Sequence, residues 1–298
     1  METTAVPVQG AVDRNRLISL SCIIFLMSSK GSEFDPGKRA LFRIMAGVAG
    51  WGIVAALVPK PVRAFLEAPE AVQPTLRSSF LIYHEMSYLP FKRNLLNLIR
   101  EGQQPISPDT AVNVINGSQT IPDGLPTFMV TCDDSLLSQY DSILRATEEV
   151  ANETGFFVPV TFCAIMKLNN PTAPITELPD DTPMYNDGVH RYLTLRHVIN
   201  LIKAGHLLAN HTVNHAILPN LSEGARNAEV EIAEQRINTI YQMAGVLRPV
   251  KIIAYPQGRY QGQLGYIGQQ GFDLGLSTLS AKIHTSETRL YAGRVRMS

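Results

Sequence analysis

The stretch Thr127-Phe-Met-Val-Thr-Cys-Asp-Asp-Ser135 reads as a short buried strand that delivers two carboxylates at its end. Its apolar and β-branched run is bounded by Pro126 on one side and by Asp133 and Asp134 on the other. Similar runs lie outward from it in both directions: Ser79–Tyr83, Phe157–Cys163, Leu207–Asn210, Val250–Tyr255 and Leu274–Thr278. Helical spacing separates them. Between Ser135 and Glu153, Tyr140, Ile143, Leu144, Thr147, Val150 and Ala151 recur on one face, and Thr194–Ala204 reads as a helix stopped by Gly205. Val230, Ala233, Ile237, Ile240 and Ala244 mark the apolar face of a longer helix, with Glu229, Glu231, Glu234 and Arg236 expected in solvent. A further helix is expected to end at Gly271. Strands alternating with helices imply parallel βα units, hence a barrel or a doubly wound sheet. The exception is Asn169–Asp187, rich in Pro, Asp and Thr, which reads as a surface insertion of the kind that forms binding loops.

Composition narrows the class. The chain has 298 residues, 26 Lys and Arg against 26 Asp and Glu, and 45% apolar residues. That is enough for a sizeable core and excludes global disorder. Neutrality argues against a nucleic-acid binder, which needs a basic surplus to neutralise phosphates, and suits an uncharged substrate that needs no steering. Cys22, Cys132 and Cys163 are odd in number and widely spaced, matching neither a disulfide framework nor a cysteine zinc site. Cys132 reads as a small core residue with an inert thiol.

Two apolar stretches near the start follow basic residues. Leu17–Met27 follows Arg14 and Arg16, and Ala46–Val58 follows Lys38, Arg39 and Arg43. Both fall short of the ~20 residues that span a bilayer but share the order of a signal peptide. Residues 1–70 are therefore expected to be a targeting or membrane-anchor segment with a proline-containing linker, and 71–298 the working domain. An extracytoplasmic location follows, secreted, periplasmic or tethered.

The ends of the strands collect the chemistry. Asp133 and Asp134 follow one strand, His211-Thr-Val-Asn-His215 follows Leu207–Asn210, and Pro256-Gln257-Gly258 follows Lys251–Tyr255. Two imidazoles four residues apart face one way if the segment takes a helical turn. One carboxylate and two neutral imidazoles suit a catalytic divalent ion with positions left open. The other carboxylate points elsewhere and is free to act as a base. Singly, an Asp-Asp pair is also an ordinary helix cap, and a His-x3-His is also found on plain surfaces or in cores.

Together these residues resemble the polysaccharide deacetylase family, the NodB-homology or carbohydrate esterase family four proteins, over about residues 79–298. The family's Thr-Phe-Asp-Asp-Gly is matched by Thr131-Cys-Asp-Asp-Ser135, and its His-Ser/Thr-x-x-His by His211–His215, with Gly205-His206 as lead-in. Its Ala-Tyr-Pro-x-Gly is matched by Ala254-Tyr-Pro-Gln-Gly258. Leu81-Ile-Tyr-His84, Gly271-Phe-Asp273 and Arg294-Val-Arg296 also look familiar, and the feel is nearest to the poly-N-acetylglucosamine deacetylase branch.

The resemblance implies a distorted (β/α) barrel behind the N-terminal segment, and a hydrolase that removes acetyl groups from an N-acetylated or O-acetylated glycan by attack of a metal-bound water. Asp134, His211 and His215 would hold the ion, Zn²⁺ first, with Co²⁺, Ni²⁺ or Mn²⁺ as alternatives. Asp133 would be the base. Tyr255, Pro256 and Gln257 would line the substrate and oxyanion site, through the backbone N–H of Gln257. The family's late Leu-x-x-His acid motif is missing, leaving His284 and His84 as candidate acids. The arginine that other branches place two positions before the third-motif proline is here Ala254, so Arg294 or Arg259 stands as its substitute, although both read as surface cations. Two other readings keep the fold: an inactive glycan-binding module, and an amidase for a small molecule. Tyr185 and Tyr192, flanking His190, are candidate walls of a sugar groove.

Overall fold

β3 (Thr127–Asp133) is buried at every position, which is why its sequence lacks the polar alternation of a one-sided strand. In this computed structural model the described residues are 74–84, 87–122, 124–168 and 173–297. The expectations for residues 1–70 lie outside them. No helix among the described residues is long and apolar enough to cross a membrane.

Six parallel strands follow one another across the sheet: β1 (Thr75–Tyr83), β3, β4 (Val160–Ala164), β5 (Leu207–Asn210), β6 (Ile252–Ala254) and β7 (Leu274–Leu276). β2 (Gln104–Pro105) adds to the start of β3, and β8 (Ile283–Thr285) runs antiparallel along the start of β1. The chain then joins the two edges. Leu276 of β7 bridges Ala292, and β9 (Val295–Arg296) pairs in parallel with Leu81 and Ile82 of β1. The expected distorted (β/α) barrel is therefore what the chain forms, closed by residues 292–296. Gly293 is required in this closing segment, because a Cβ there would lie 2.1 Å from the carbonyl oxygen of Leu279.

Alternation along β3 divides the core. Phe128, Val130 and Cys132 face outward with residues from α1 (Tyr88–Arg100), α3 (Leu137–Thr154), α4 (Leu195–Lys203) and α5 (Glu223–Ala244). Met129 belongs to the inner cluster with Phe80, Ala209, Ala254 and Leu276, to which α2 (Pro108–Ile115) contributes Ala111, Val112 and Ile115. Thr131 and Asp133 continue that inward row. Between β6 and β7 lies α6 (Leu264–Gln269), which precedes Gly271 as expected.

Some local expectations shift. β6 and β7 are three residues each, shorter than their apolar runs, because Tyr255 and Ser277 already belong to the loops at the barrel mouth. Glu234 and Arg236 are not solvated. Glu234 pairs with Arg248 and lies 3.8 Å from Lys251, while Arg236 donates to the Met166 carbonyl. A long helix lying across the barrel buries more than its apolar stripe, and each buried charge takes a partner.

His206 and His284 are buried at 3% and 0% exposure, and burial pushes both imidazoles down to about 4 from the usual 6.5. A depressed folded-state pKa means the unfolded chain binds more protons between pH 4 and 6.5, so stability is fully present above that window and is lost as pH falls through it. Each shift corresponds to about 3 kcal/mol at most. Urea denaturation at about pH 7.5 and about pH 5 is expected to show a marked drop, and His206→Gln with His284→Gln should remove at least half of that pH dependence.

Candidate metal centre and active site

The end of β3 turns sharply. Asp134 and Ser135 both hold positive φ, 70° and 58°, a left-handed pair that non-glycine residues adopt only when held there. The Ser135 hydroxyl supports it by donating to the Cys163 carbonyl at 3.4 Å. Ser135 thus takes the backbone conformation suited to the glycine of the family motif. The turn separates the two carboxylates: Asp133 points into the barrel, and Asp134 toward the histidines.

The second element, His211 to His215, is a loop and not the helical turn that would also bring two imidazoles four residues apart to one side. Thr212 and His215 have φ of 67° and 56°. The Asn210 side chain accepts from the Thr212 N–H at 2.8 Å and donates to the Val230 carbonyl at 2.9 Å. Glu229 of α5 accepts from the N–H groups of Val213 and Asn214 at 3.0 and 2.8 Å. So folded, the two imidazoles stand edge to face with centroids 4.8 Å apart.

Asp134 Oδ1 lies 3.6 Å from Nε2 of His211 and 3.6 Å from Nε2 of His215. One ligand atom from each of the three residues lies within 4.8 Å of the others. Ligands ~2.0–2.2 Å from a tetrahedral ion stand roughly 3.4 Å apart, so the donor set and spacing fit a divalent metal with an open position. His211 donates its Nδ1 proton to the Ala254 carbonyl at 2.8 Å, which fixes the tautomer and leaves Nε2 facing Asp134.

Asp133 lies deeper, 3% exposed, with Oδ2 3.9 Å from His211 Nε2. Arg294 holds it by two parallel bonds, 2.6 and 2.9 Å, and also donates to Thr131 Oγ1 at 3.1 Å and to the Ser277 carbonyl at 3.0 Å. Burial opposes the Asp133 carboxylate, but Arg294 and His211 outweigh it and hold its pKa well below the usual range. Burial likewise opposes the Asp134 anion, and His211 reverses that, leaving its pKa lowered. Burial works against the His211 cation, yet the two aspartates raise its pKa overall, whereas burial and His211 together lower that of His215.

The structure places the remaining candidates as follows. Arg294 is not a surface cation: it is 2% exposed and stands where its guanidinium meets Asp133. Arg259 is exposed. Tyr255 is turned inward, its hydroxyl donating to the Leu290 carbonyl at 2.6 Å, and Pro256 is buried, so the tyrosine ring anchors the loop and is closed to substrate. Gln257 is exposed with φ 56°, and Gly258 packs so tightly that a Cβ would lie 2.1 Å from Thr278 Oγ1. His284 is at the wrong end of the barrel. It pairs with Leu76, seven residues before Tyr83 on β1, hence roughly 23 Å from the carboxylates at ~3.3 Å per residue, and stacks on Phe80. A buried imidazole packed there cannot serve as an acid for this site.

His84 follows β1 at the mouth, and its charge acts on His215. It lines an open cleft of 1250 Å³ together with Ser87, Ser138, Asp141, His190 and Arg191. His190 and Arg191 line it, whereas Tyr185 and Tyr192, the expected wall residues, are not among its lining. Tyr192 is instead an anchor, 7% exposed, with its hydroxyl on Asp187 and its ring against Tyr185 at 4.6 Å. Cys132 and Cys163 are buried, and burial pushes both thiols well up, so neither is a nucleophile. Two supporting residues have no signature in the motifs. Gln139 donates to the carbonyls of both His84 and Asp133, and Glu229 holds the histidine loop. A carboxylate on the loop-facing side of a helix was the one available hint for Glu229.

A (β/α) barrel with an aspartate and two histidines at its mouth, backed by a buried carboxylate, defines a hydrolase class. Residues 126–275, half of the chain, match the polysaccharide deacetylase family model, and the chain belongs to that family. It is thus a deacetylase of the hydrolase class. Among solved structures it is similar to the Streptococcus pyogenes deacetylase PplD in complex with acetate (19% identity, TM-score 0.58, covering 76% of this chain and 93% of that one). It is also similar to IcaB from Ammonifex degensii (17% identity, TM-score 0.56, 75% and 92%). At these identities the likeness is one of fold. No curated protein sequence matches the chain.

Removing one member of a buried ion pair strands the other charge, at a cost of about 3–5 kcal/mol. Arg294→Met is expected to lose that much in urea denaturation, and Asp133→Asn added to it should recover a substantial part.

Proposed function

We propose that the protein removes acetyl groups from an N-acetylated glycan in a metal-dependent reaction, with Asp134, His211 and His215 as ligands and Asp133 as base. The observation that carries this reading is the juxtaposition of the Asp134–His211–His215 cluster with a separate, buried, arginine-held carboxylate 3.9 Å from His211. When bound, a Zn²⁺ or similar ion supplies Lewis acidity toward water and the acetyl oxygen. The chain's own groups do the rest. Asp133 accepts the proton of the attacking water, and Arg294 keeps it ionised and aimed. The water oxygen adds to the carbonyl carbon, the C–N bond breaks as the nitrogen takes up the proton that Asp133 accepted, and acetate and an amine leave. The exposed Gln257 backbone, held at positive φ beside Gly258, is the chain's candidate donor to the developing oxyanion.

The cleft of 1250 Å³ exceeds the ~300–1,000 Å³ of ordinary small-molecule pockets, which favours an oligosaccharide over a small amide. Action outside the cytoplasm rests on the basic-then-apolar order of residues 38–58. A reporter that folds only outside the cytoplasm, fused to the full chain, is expected to be active.

Acetate release from chito-oligosaccharides is expected to vanish on removing metal with a chelator and to return with Zn²⁺ or Co²⁺. Asp133→Asn should lower kcat by about 10²–10⁴-fold with little change in KM. Full activity of the metal-stripped protein would refute the metal role. Absence of acetate from chito-oligosaccharides, acetylated xylan and model acetyl esters alike would refute the reaction.

A further inference from the structure

Two guanidinium groups that line the cleft, Arg191 and Arg296, hold no other part of the fold. Arg191 stands on the loop whose carbonyl accepts the Leu137 N–H, and Arg296 lies in β9 opposite Ile82 of β1. Both are exposed, and among the described residues neither guanidinium has a hydrogen-bond or ion-pair partner. The other charge-bearing lining groups are Asp141, His84 and His190, and His190 is bonded to Asp187 at 2.7 Å. The opening of α3, with Leu136 and Ser138 in the wall, has no capping side chain and no acidic residue in its first turn, which adds to the positive field.

The cleft adjoins the candidate active site through the segments that carry both. Leu136 is two residues from Asp134, Arg296 two from Arg294, and Gln139 ties the carbonyl of His84 to that of Asp133. Although the whole chain is neutral, the cleft lining sets Arg191 and Arg296 against the single carboxylate of Asp141, an excess of one positive charge beside the place where a glycan would continue past its acetamide.

We propose that this cleft binds an anionic substituent, so that the preferred substrate is an acidic N-acetylated glycan with a carboxylate or phosphate on a sugar beside the one being deacetylated. The inference rests on the deacetylase reading above and deepens its substrate class. Arginine's planar fork matches either oxyanion.

The test uses the full chain and reads binding and turnover separately. Oligosaccharides of equal length are compared: chitohexaose as the neutral probe, a hyaluronan hexasaccharide as the carboxylated probe and a 6-phosphorylated chitohexaose as the phosphate probe. At low ionic strength at least one anionic probe is expected to bind at least tenfold more tightly than chitohexaose, and to show a higher kcat/KM. The preference should shrink as salt is added. Arg191→Gln with Arg296→Gln should bring the binding ratio close to one, whereas Arg100→Gln with Lys203→Gln, which removes the same charge elsewhere, should change it less than twofold. The phosphate and carboxylate arms identify the source of the anion. Equal binding of all three probes, or a preference that survives loss of both arginines, overturns the proposal. Tight arginine-dependent binding of an anionic probe without acetate release upholds the cleft and instead overturns the reaction reading.

Discussion

The buried pair of Asp133 and Arg294 is the constraint on which the rest of the molecule depends. Its members are far apart in sequence, at the end of β3 and in the segment that closes the barrel. A carboxylate at 3% exposure stays ionised only beside a fixed cation. That cation can reach it only if residues 292–296 bridge β7 to β1. Closing the barrel and fixing the charge of Asp133, the proposed base, are therefore one event. Gly293 belongs to the same constraint, since any larger residue would push Arg294 away from the mouth.

Around this pair the backbone holds conformations that side chains ordinarily avoid. Asp134, Ser135, Thr212, His215 and Gln257 are the non-glycine residues with positive φ among the described residues, and all lie in the three loops that meet at the site. Such conformations cost about 1–3 kcal/mol each and persist only where surrounding bonds over-determine them. Asn210, Glu229 and the Ser135 hydroxyl supply those bonds. The outcome is a cluster assembled by folding, with its histidine tautomer already set.

Much of this was legible in the sequence. Strand runs bounded by turn residues located β1, β3, β4 and β5, and the order of motifs at their ends marked Asp133, Asp134, His211 and His215. What was hidden depends on contacts distant in sequence. Arg294 looked like a surface cation because no local pattern announces that a terminal segment folds back across the barrel. His284 lay in the expected stretch of chain, yet the antiparallel pairing of β8 carries it to the opposite end of β1. Spacing alone allowed the two histidines to meet through a helical turn, and left-handed residues produce the same juxtaposition by another route. Glu234 and Arg236 read as solvated because a helical wheel cannot show which loops lie over a helix.

The central claim is that Asp134, His211 and His215 form a metal site distinct from the carboxylate that moves the proton. Cobalt substitution tests it most directly, because four-coordinate Co²⁺ absorbs strongly in the visible and reports its ligands without turnover. One Co²⁺ per chain with a tetrahedral-type spectrum is expected, retained in Asp133→Asn and lost in Asp134→Ala. A spectrum abolished by Asp133→Asn but unchanged by Asp134→Ala would contradict the account.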